Sequence, residues 1–178
     1  VLYDVDADLL VVHDLPRAQQ RFIPASTFKI ANSLIGLSTG SVESVDEVLP
    51  YGGKPQPFSS WESDMGLRDA IKVSNVPVYQ ELARRIGLER MRENLAAIPY
   101  GDAQVGNEVD TFWLKGPLQI SAVEQSEFLA RLAQGKLPFS SEVQQNVREI
   151  ARLEKGDGWV LHGKTGWTTT PDPDIGWW

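Results

Sequence analysis

The stretch FIPASTFKIANSLIGLSTG, residues 22–40, places a serine and a lysine at the head of an otherwise apolar segment. Its apolar side chains fall on two adjacent helical stripes, so we predict a buried helix over residues 26–38. Gly40 supplies the stop signal, because glycine readily takes the left-handed conformation just beyond a helix end. Ser26 and Lys29 are three residues apart and therefore share one face of the first turn.

This pair of side chains has two interpretations. A hydroxyl, an amine whose charge is suppressed by burial and the free N–H groups of a helix start together suit a nucleophile with its base. Serine is also a preferred helix cap and lysine is common on helices, so the S-x-x-K spacing alone is usually structural. Lys29, however, lies among Phe28, Ile30 and Ile35, which is a poor setting for a solvated ammonium.

Composition limits the classes of function. The chain has 178 residues, of which 42% are apolar and 9% aromatic, and these values favour a folded protein of one or two lobes. A net charge of −7 argues against nucleic acid and against an anionic membrane surface, and favours a small-molecule or protein partner. The absence of cysteine excludes disulfides and thiol chemistry but leaves the compartment open. These residues contain no signal-peptide pattern and no apolar run of membrane-spanning length.

Strand patterns occupy both ends of the chain. Residues 1–13 are aliphatic and β-branched runs around a polar turn, which predicts a hairpin. Residues 157–178 alternate and are rich in aromatic and β-branched side chains, and a loop of Pro and Asp at 171–174 divides them into a second hairpin. We expect both ends to meet in one antiparallel sheet. The chain starts without Met and closes on the apolar DIGWW, so we also expect an internal fragment whose missing parts include sheet partners.

The pattern between the two ends is helical. Five segments show apolar residues at i, i+3 and i+4, and several begin after Ser or Pro, as helix starts do. They are residues 64–74, 76–87, 88–98, 121–135 and 140–155. The predicted fold is α/β, of the α+β type. One partial domain, residues 1–178, combines a sheet lobe of residues 1–40 and 156–178 with an inserted helical lobe of residues 41–155.

Two further motifs follow the S-x-x-K pair. Ser74 and Val76 form S-x-V in KVSNVPVYQ, where the simplest interpretation is the entry to a helix that begins with Pro. HGKTGW places Lys164 and Thr165 at the end of a predicted strand. There a cation offers a site for a carboxylate, and the small Gly166 lets a ligand lie close to the backbone.

S-x-x-K, S-x-V and K-T-G, in this order, form the signature of the penicillin-recognising serine enzymes. Five blocks extend the similarity: RFIPASTFKIANSLIGL, SNVPVYQELARRIG, YGDAQVG, DTFWLKGPLQISAVEQSEFL and HGKTGW. Together they closely resemble the class D, or OXA-type, β-lactamases from the first residue to the last. The resemblance implies a penicillin-binding-protein/serine β-lactamase-like fold and hydrolysis of penicillin-type β-lactams, giving antibiotic resistance. It also implies a periplasmic or secreted monomer or homodimer without a metal.

The resemblance assigns roles near the S-x-x-K pair. Ser26 would be the nucleophile that forms the acyl-enzyme. Lys29 would be carboxylated by carbon dioxide and serve as general base in acylation and deacylation, and only a neutral amine reacts in this way. Trp113 would hold the carbamate through its indole N–H, although an aromatic side chain is more often part of a core. Val76 would present an apolar side chain to the lysine.

The remaining roles belong to substrate binding. Ser74 would relay a proton to the lactam nitrogen while Lys164 keeps that network positive. The other expected substrate-binding residues are Thr165 for the drug carboxylate, Gly166, Trp167, Val76 and Tyr100. The backbone N–H groups of Ser26 and Trp167 would form the oxyanion hole. The family also uses an arginine beyond the K-T-G strand, which this sequence does not reach.

The sequence departs from the family pattern at Asp102, which replaces the asparagine of Y-G-N. If that residue orders its loop, Asp can accept the same hydrogen bonds; if it donates through its amide, turnover or substrate range changes. Ala31 stands where the family usually has Pro, and it suits a helix better.

Three alternatives remain open. A β-lactam-sensing receptor acylates without efficient turnover, but such receptors tend to have Asn where Val76 stands. A metal-binding module is suggested by Asp4, Asp6 and Asp8, but a calcium loop requires Gly and Glu where Leu9 and Leu15 occur. A peptidoglycan transpeptidase shares the three motifs, and the W-L-K-G block argues against it.

Overall fold

The computed structural model describes residues 1–169 and 174–178. An antiparallel hairpin of β1 (Leu2–Asp4) and β2 (Leu9–Val11) opens the chain. Its turn is closed by Asp4, whose Oδ1 accepts two backbone N–H groups at 3.0 Å. The predicted N-terminal hairpin is confirmed, and this aspartate has a local structural role.

The apolar helix is buried as predicted but begins later. After the short helix α1 (Leu15–Gln19), a 3-10 turn covers Ala25–Phe28 and helix α2 covers Lys29–Ser38. Its wide apolar arc packs against neighbouring helices. A Cβ at Gly36 would lie 2.7 Å from Cδ1 of Leu82, so a glycine at this position lets α2 lie close to the later helix that carries Leu82.

Each of the five segments predicted as helical contains a helix. The helices after α2 are α3 (Leu67–Lys72), α4 (Val76–Ile86), α5 (Leu88–Ala97), α6 (Phe112–Lys115), α7 (Ala122–Ala133) and α8 (Ser141–Ile150). The starts of α4, α7 and α8 are capped by the side chains of Asn75, Ser121 and Ser140. In the part of the chain that the structure describes, no helix is both long and apolar enough to cross a membrane.

The predicted helix at 140–155 is too long, because α8 ends at Ile150 and a strand follows. That strand, β3 (Arg152–Gly156), pairs with β4 (Trp159–His162) across a local turn. The turn residues Asp157 and Gly158 suit a hairpin, with Gly158 at a φ of 77°. Local hairpin formation therefore overrides the helical tendency of Leu-Glu-Lys.

The hairpin expected over residues 157–178 is confirmed only around the Pro/Asp loop, because β4 at its start pairs with β3. Strand β5 (Gly166–Thr168) pairs with β6 (Ile175–Trp177), while residues 171–173 of the predicted loop lie outside the described residues. The expectation of one shared sheet is wrong for the described residues, which form three separate two-stranded sheets. Turn chemistry determines each hairpin, but alternation of residues does not specify which hairpins pair with each other. The division into two lobes remains a prediction.

Candidate active site

The predicted contact between Ser26 and Lys29 is present. Ser26 lies in the 3-10 turn, Lys29 opens α2, and Lys29 Nζ donates a hydrogen bond to Ser26 Oγ at 2.8 Å. The lysine is 0% exposed, whereas the serine is partly exposed. Ala25, immediately before the serine, has a φ of 49°, a conformation that costs an L-residue about 1–2 kcal/mol. The backbone is therefore strained at the residue before Ser26, and the hydroxyl of this partly exposed serine contacts a buried amine.

The environment of Lys29 favours its neutral form. Burial, and secondarily the positive charge of Lys164, hold the pKa of the Lys29 amine well below its ordinary value. Lys29 Nζ lies 5.4 Å from the centroid of the Tyr79 ring. A neutral amine has a free lone pair, so it can accept the hydroxyl proton or react with an electrophile.

Trp113 presents an unsatisfied donor beside this helix. The side chain, carried by α6, is 0% exposed and its ring stacks on that of Phe28 at a centroid distance of 5.4 Å. Among the described residues its Nε1 has no hydrogen-bond partner. A buried donor left unpaired costs about 1–3 kcal/mol. The position therefore suits an additional acceptor, and Phe28 directly precedes Lys29 in the chain.

The K-T-G segment lies against the turn that carries Ser26. A Cβ at Gly166 would lie 2.8 Å from the carbonyl oxygen of Pro24 and 3.1 Å from the backbone nitrogen of Thr27. Gly166 is buried in β5, while the side chain of the next residue, Trp167, is 65% exposed. The absence of a side chain at residue 166 therefore allows the strand to contact the turn directly.

Lys164 and Thr165 connect β4 to β5. Lys164 Nζ donates to the carbonyl oxygen of Thr165 at 2.8 Å, and the Thr165 residue itself is exposed. Burial lowers the pKa of Lys164 to about 8. The positive charge of Lys164 contributes to the lowered pKa of Lys29, so the two amines interact electrostatically.

Ser74 lies between α3 and α4, Val76 begins α4, and both residues are partly exposed. Ser74 has a φ of 56°, a conformation rare for a residue with a side chain. Asn75 holds this turn, since its Oδ1 accepts the Val78 N–H at 3.1 Å and its Nδ2 donates to the Trp61 carbonyl at 3.3 Å. Neither of these two hydrogen bonds of Asn75 was predicted from the sequence. The capping preference of Asn indicates the first of them, but no local signal indicates Trp61.

Tyr100, which the family resemblance assigns to substrate binding, is enclosed by aromatic rings. Its side chain is 1% exposed and meets the rings of Phe28 and Phe128 edge-on, at centroid distances of 5.6 and 4.9 Å. The assignment of Tyr100 to substrate binding stays a prediction. Asp102 in the same motif orders its loop, because Oδ1 accepts the backbone N–H groups of Gln104 at 3.2 Å and Gln119 at 3.1 Å. This arrangement matches the loop-ordering alternative, which Asp can fulfil as well as Asn.

The chemistry of the candidate site is carried by hydroxyl, amine and indole groups. In the two described ranges, no group of three or more His, Cys, Asp or Glu side chains is arranged to hold a metal ion. The aspartates near the N-terminus serve the first hairpin, where Tyr3 donates its hydroxyl to Asp8 at 2.6 Å.

Comparison with known proteins gives consistent relatives. The family model of the penicillin-binding protein transpeptidase domain matches residues 11–176. The chain is 43% identical over 169 residues to beta-lactamase OXA-10 of Pseudomonas aeruginosa, covering 93% of this chain and 64% of that protein. It is 42% identical over 178 residues to beta-lactamase OXA-48 of Klebsiella pneumoniae, covering 100% and 67%. The chain thus spans about two thirds of the length of these relatives.

Solved structures agree with the sequence relatives. The crystal structure of FUS-1 (OXA-85), a class D beta-lactamase from Fusobacterium nucleatum subsp. polymorphum, superposes with a TM-score of 0.95 at 51% identity. That match covers 98% of this chain and 73% of the other. A class D beta-lactamase from Bacillus subtilis gives a TM-score of 0.90 at 40% identity, covering 94% of this chain and 71% of that one. The arrangement of helices and small antiparallel sheets is therefore that of the penicillin-binding-protein/β-lactamase fold.

Proposed function

The chain belongs to the class D β-lactamase family, and on this premise we propose that it hydrolyses the β-lactam ring of penicillin-type antibiotics through an acyl-enzyme on Ser26. The observation that carries the proposal is the 2.8 Å hydrogen bond from the buried Lys29 amine to the hydroxyl of the partly exposed Ser26. In this role the protein would act on small β-lactams, outside the cytoplasm, and protect a cell against them.

Acylation removes a proton from the Ser26 hydroxyl and adds a proton to the lactam nitrogen. Lys29 accepts the hydroxyl proton while Ser26 Oγ attacks the lactam carbonyl, and the amide C–N bond then breaks. Ser74, with Lys164 keeping its surroundings positive, delivers a proton to the departing nitrogen. The backbone N–H groups of Ser26 and Trp167 stabilise the negative oxygen that forms. The proton held by Lys29 passes to Ser74 and replaces the one given to the nitrogen, so that Lys29 is free to accept a proton again. Water then attacks the ester carbonyl while Lys29 accepts its proton, and this proton returns to Ser26 Oγ as the ester C–O bond breaks and the opened product leaves.

Several features support carboxylation of Lys29 on Nζ. Burial holds the pKa of the amine well below its ordinary value and so favours the neutral form that carbon dioxide requires. The unpaired N–H of Trp113 would donate to the carbamate, and Val76 would supply an apolar boundary. The modification would provide an anionic acceptor for the serine proton where an unmodified amine is a weaker base. The buried, unpaired indole N–H of Trp113 is the feature of this chain that fits a carbamate on Lys29.

Replacing Trp113 with Phe tests the carbamate. The ring stacking on Phe28 is kept while the indole N–H is lost, so the carbamate should be less stable and activity should fall by about 10- to 100-fold. Added bicarbonate should restore part of the lost activity of Trp113→Phe and also raise that of the wild type. The assay is the initial rate of β-lactam hydrolysis against bicarbonate concentration. Rates indifferent to bicarbonate in both proteins would count against carboxylation.

The pKa of Lys164 predicts an alkaline limit. Because burial lowers this pKa to about 8, the amine is charged at neutral pH and loses its charge as the pH rises above 8. The value of kcat/KM for an anionic β-lactam should therefore fall by about 10-fold for each pH unit above that point. Profiles are measured between about pH 6 and pH 10. Lys164→Arg keeps its charge throughout, so its profile should be flatter; an identical alkaline fall would exclude Lys164 as the origin.

Hydrolysis of a chromogenic β-lactam by the purified protein tests the proposed activity directly. The matched control is Ser26→Ala, which removes the nucleophile and leaves the turn in place. We expect measurable turnover for the wild type and none above background for the variant. Equal hydrolysis by the two proteins would show that the reaction does not use this serine.

A further inference from the structure

We propose that Gln125 is a positioning residue for Ser26, acting through the hydroxyl of Thr27. The inference deepens the proposed function and rests on it, since Ser26 must be the nucleophile. Gln125 lies in the first turn of α7 and is 8% exposed. Its Nε2 donates to Thr27 Oγ1 at 2.7 Å, and Thr27 Oγ1 donates to the carbonyl oxygen of Pro24 at 2.7 Å.

The direction of these hydrogen bonds is determined by their chemistry. Thr27 has a single hydroxyl proton, and the Pro24 carbonyl can only accept it. The threonine oxygen must therefore act as the acceptor toward residue 125, which has to be a donor. Gln125 satisfies this requirement through its amide, whereas an ionised carboxylate of the same size would not.

The polar chain ends on the atoms that contact β5. Ser26 lies between Pro24 and Thr27, and these two residues provide the atoms that would be nearest to a Cβ at Gly166. The same chain of bonds therefore fixes the turn that carries the nucleophile and the surface against which the K-T-G strand packs. Acyl transfer depends on reacting atoms held about 3 Å apart, and a displacement of about 1 Å costs on the order of 100-fold in rate.

Tyr100 also contacts the side-chain amide of Gln125. Its hydroxyl lies 3.5 Å from Gln125 Nε2, and burial raises the pKa of this phenol, which stays protonated. The first turn of α7 is also tied to the segment before the nucleophile by a half-exposed ion pair between Arg21 and Glu124. Gln125 is the buried link between α7 and the turn, and Tyr100 acts behind the site.

Gln125→Glu tests the requirement for a donor. At about pH 7.5 the ionised carboxylate cannot donate to Thr27, so the rate of acylation should fall by about 10- to 100-fold. As the pH is lowered the carboxyl group gains a proton and can donate again, and the deficit relative to wild type should shrink. The titratable group in contact with it is the Tyr100 phenol, while Glu124, the preceding residue on its helix, is paired with Arg21. A purely structural loss would not recover in this way.

Substitutions at Thr27 test the same hydrogen bonds, whether or not Gln125→Glu folds. Thr27→Ser keeps the hydroxyl and should acylate within about 3-fold of wild type. Thr27→Val has nearly the same shape without the hydroxyl and should lose about as much as Gln125→Glu. Ser126→Ala is the matched control on α7, because it removes a hydrogen bond to Ala122 within the helix and does not touch the turn.

Amide hydrogen exchange over residues 22–30 separates the positioning role from the activity. The Thr27 N–H bonds the Pro24 carbonyl at 3.2 Å, so its exchange should accelerate in Gln125→Glu and Thr27→Val but not in Ser126→Ala. Wild-type protein that fails to acylate would refute the proposed function whatever the exchange data show. Wild-type protein that acylates, with Gln125→Glu equal to it in rate and exchange at every pH, would overturn the positioning role alone.

Discussion

Replacing Lys29 with alanine is expected to lower kcat for β-lactam hydrolysis by about 1000-fold. The Lys29 amine is the general-base candidate that contacts the Ser26 hydroxyl, and general bases contribute about 100- to 10,000-fold. Deacylation should be affected most, because water is a weak nucleophile without a base. We therefore expect the acyl-enzyme to persist in Lys29→Ala, visible as a mass increase of one β-lactam on the intact protein.

Lys29→Met is the control that separates chemistry from folding. Its side chain has a similar volume and no amine, so activity should be lost as in the alanine variant. The pKa of Lys29 is lowered on folding, so the unfolded chain binds the proton more tightly and the lysine destabilises the protein below its unfolded pKa. At pH 7 the Lys29→Met protein should therefore have the higher melting temperature. A variant that keeps wild-type turnover would exclude this lysine as the base.

Replacing Gly166 with alanine is expected to lower kcat/KM by about 100-fold. The added Cβ would lie 2.8 Å from the Pro24 carbonyl oxygen, well inside ordinary contact distance, so either β5 or the serine turn has to move. Such a shift separates the two segments whose N–H groups are assigned to the oxyanion hole. The loss of one oxyanion donor typically costs about 100- to 1000-fold in kcat.

Gly176→Ala is the matched control on the partner strand. Gly176 pairs with Trp167 across the β5–β6 hairpin, and a Cβ there would meet nothing within 4 Å. Its kcat/KM should stay within about 2-fold of wild type. If Gly166→Ala and Gly176→Ala have the same rate, the close contact between β5 and the turn does not matter for catalysis.

Local spacing predicted the centre of the site. Residues at i and i+3 share a face of a helical turn, and Ser26 and Lys29 are in contact as expected. The apolar neighbours of Lys29 also predicted its burial correctly. The position of β5 against the turn could not be derived from spacing, because it joins two segments that are far apart in the sequence. The resemblance to a known family suggested that juxtaposition, and the structure supplies its contact distances.

The features that the sequence did not reveal depend on tertiary contacts. Tyr100 carries a hydroxyl and stands in a family motif, but aromatic neighbours from distant segments enclose it. Gln125 was overlooked because it lies in the polar run E-Q-S, which is typical of an exposed helix face, yet its amide is buried against Thr27. The strand at Arg152–Gly156 has helix-forming residues and depends on its partner strand.

The lifetime of the acyl-enzyme distinguishes a hydrolase from a sensor and identifies the nucleophile in one experiment. The protein is mixed with a penicillin, quenched at intervals, and analysed by intact mass and by peptide mapping. We predict an adduct on Ser26 that forms within the mixing time and decays in seconds as hydrolysed penicillin accumulates catalytically. An adduct that persists for hours would indicate a β-lactam-sensing domain, and the absence of any adduct on Ser26 would contradict the assignment of the nucleophile.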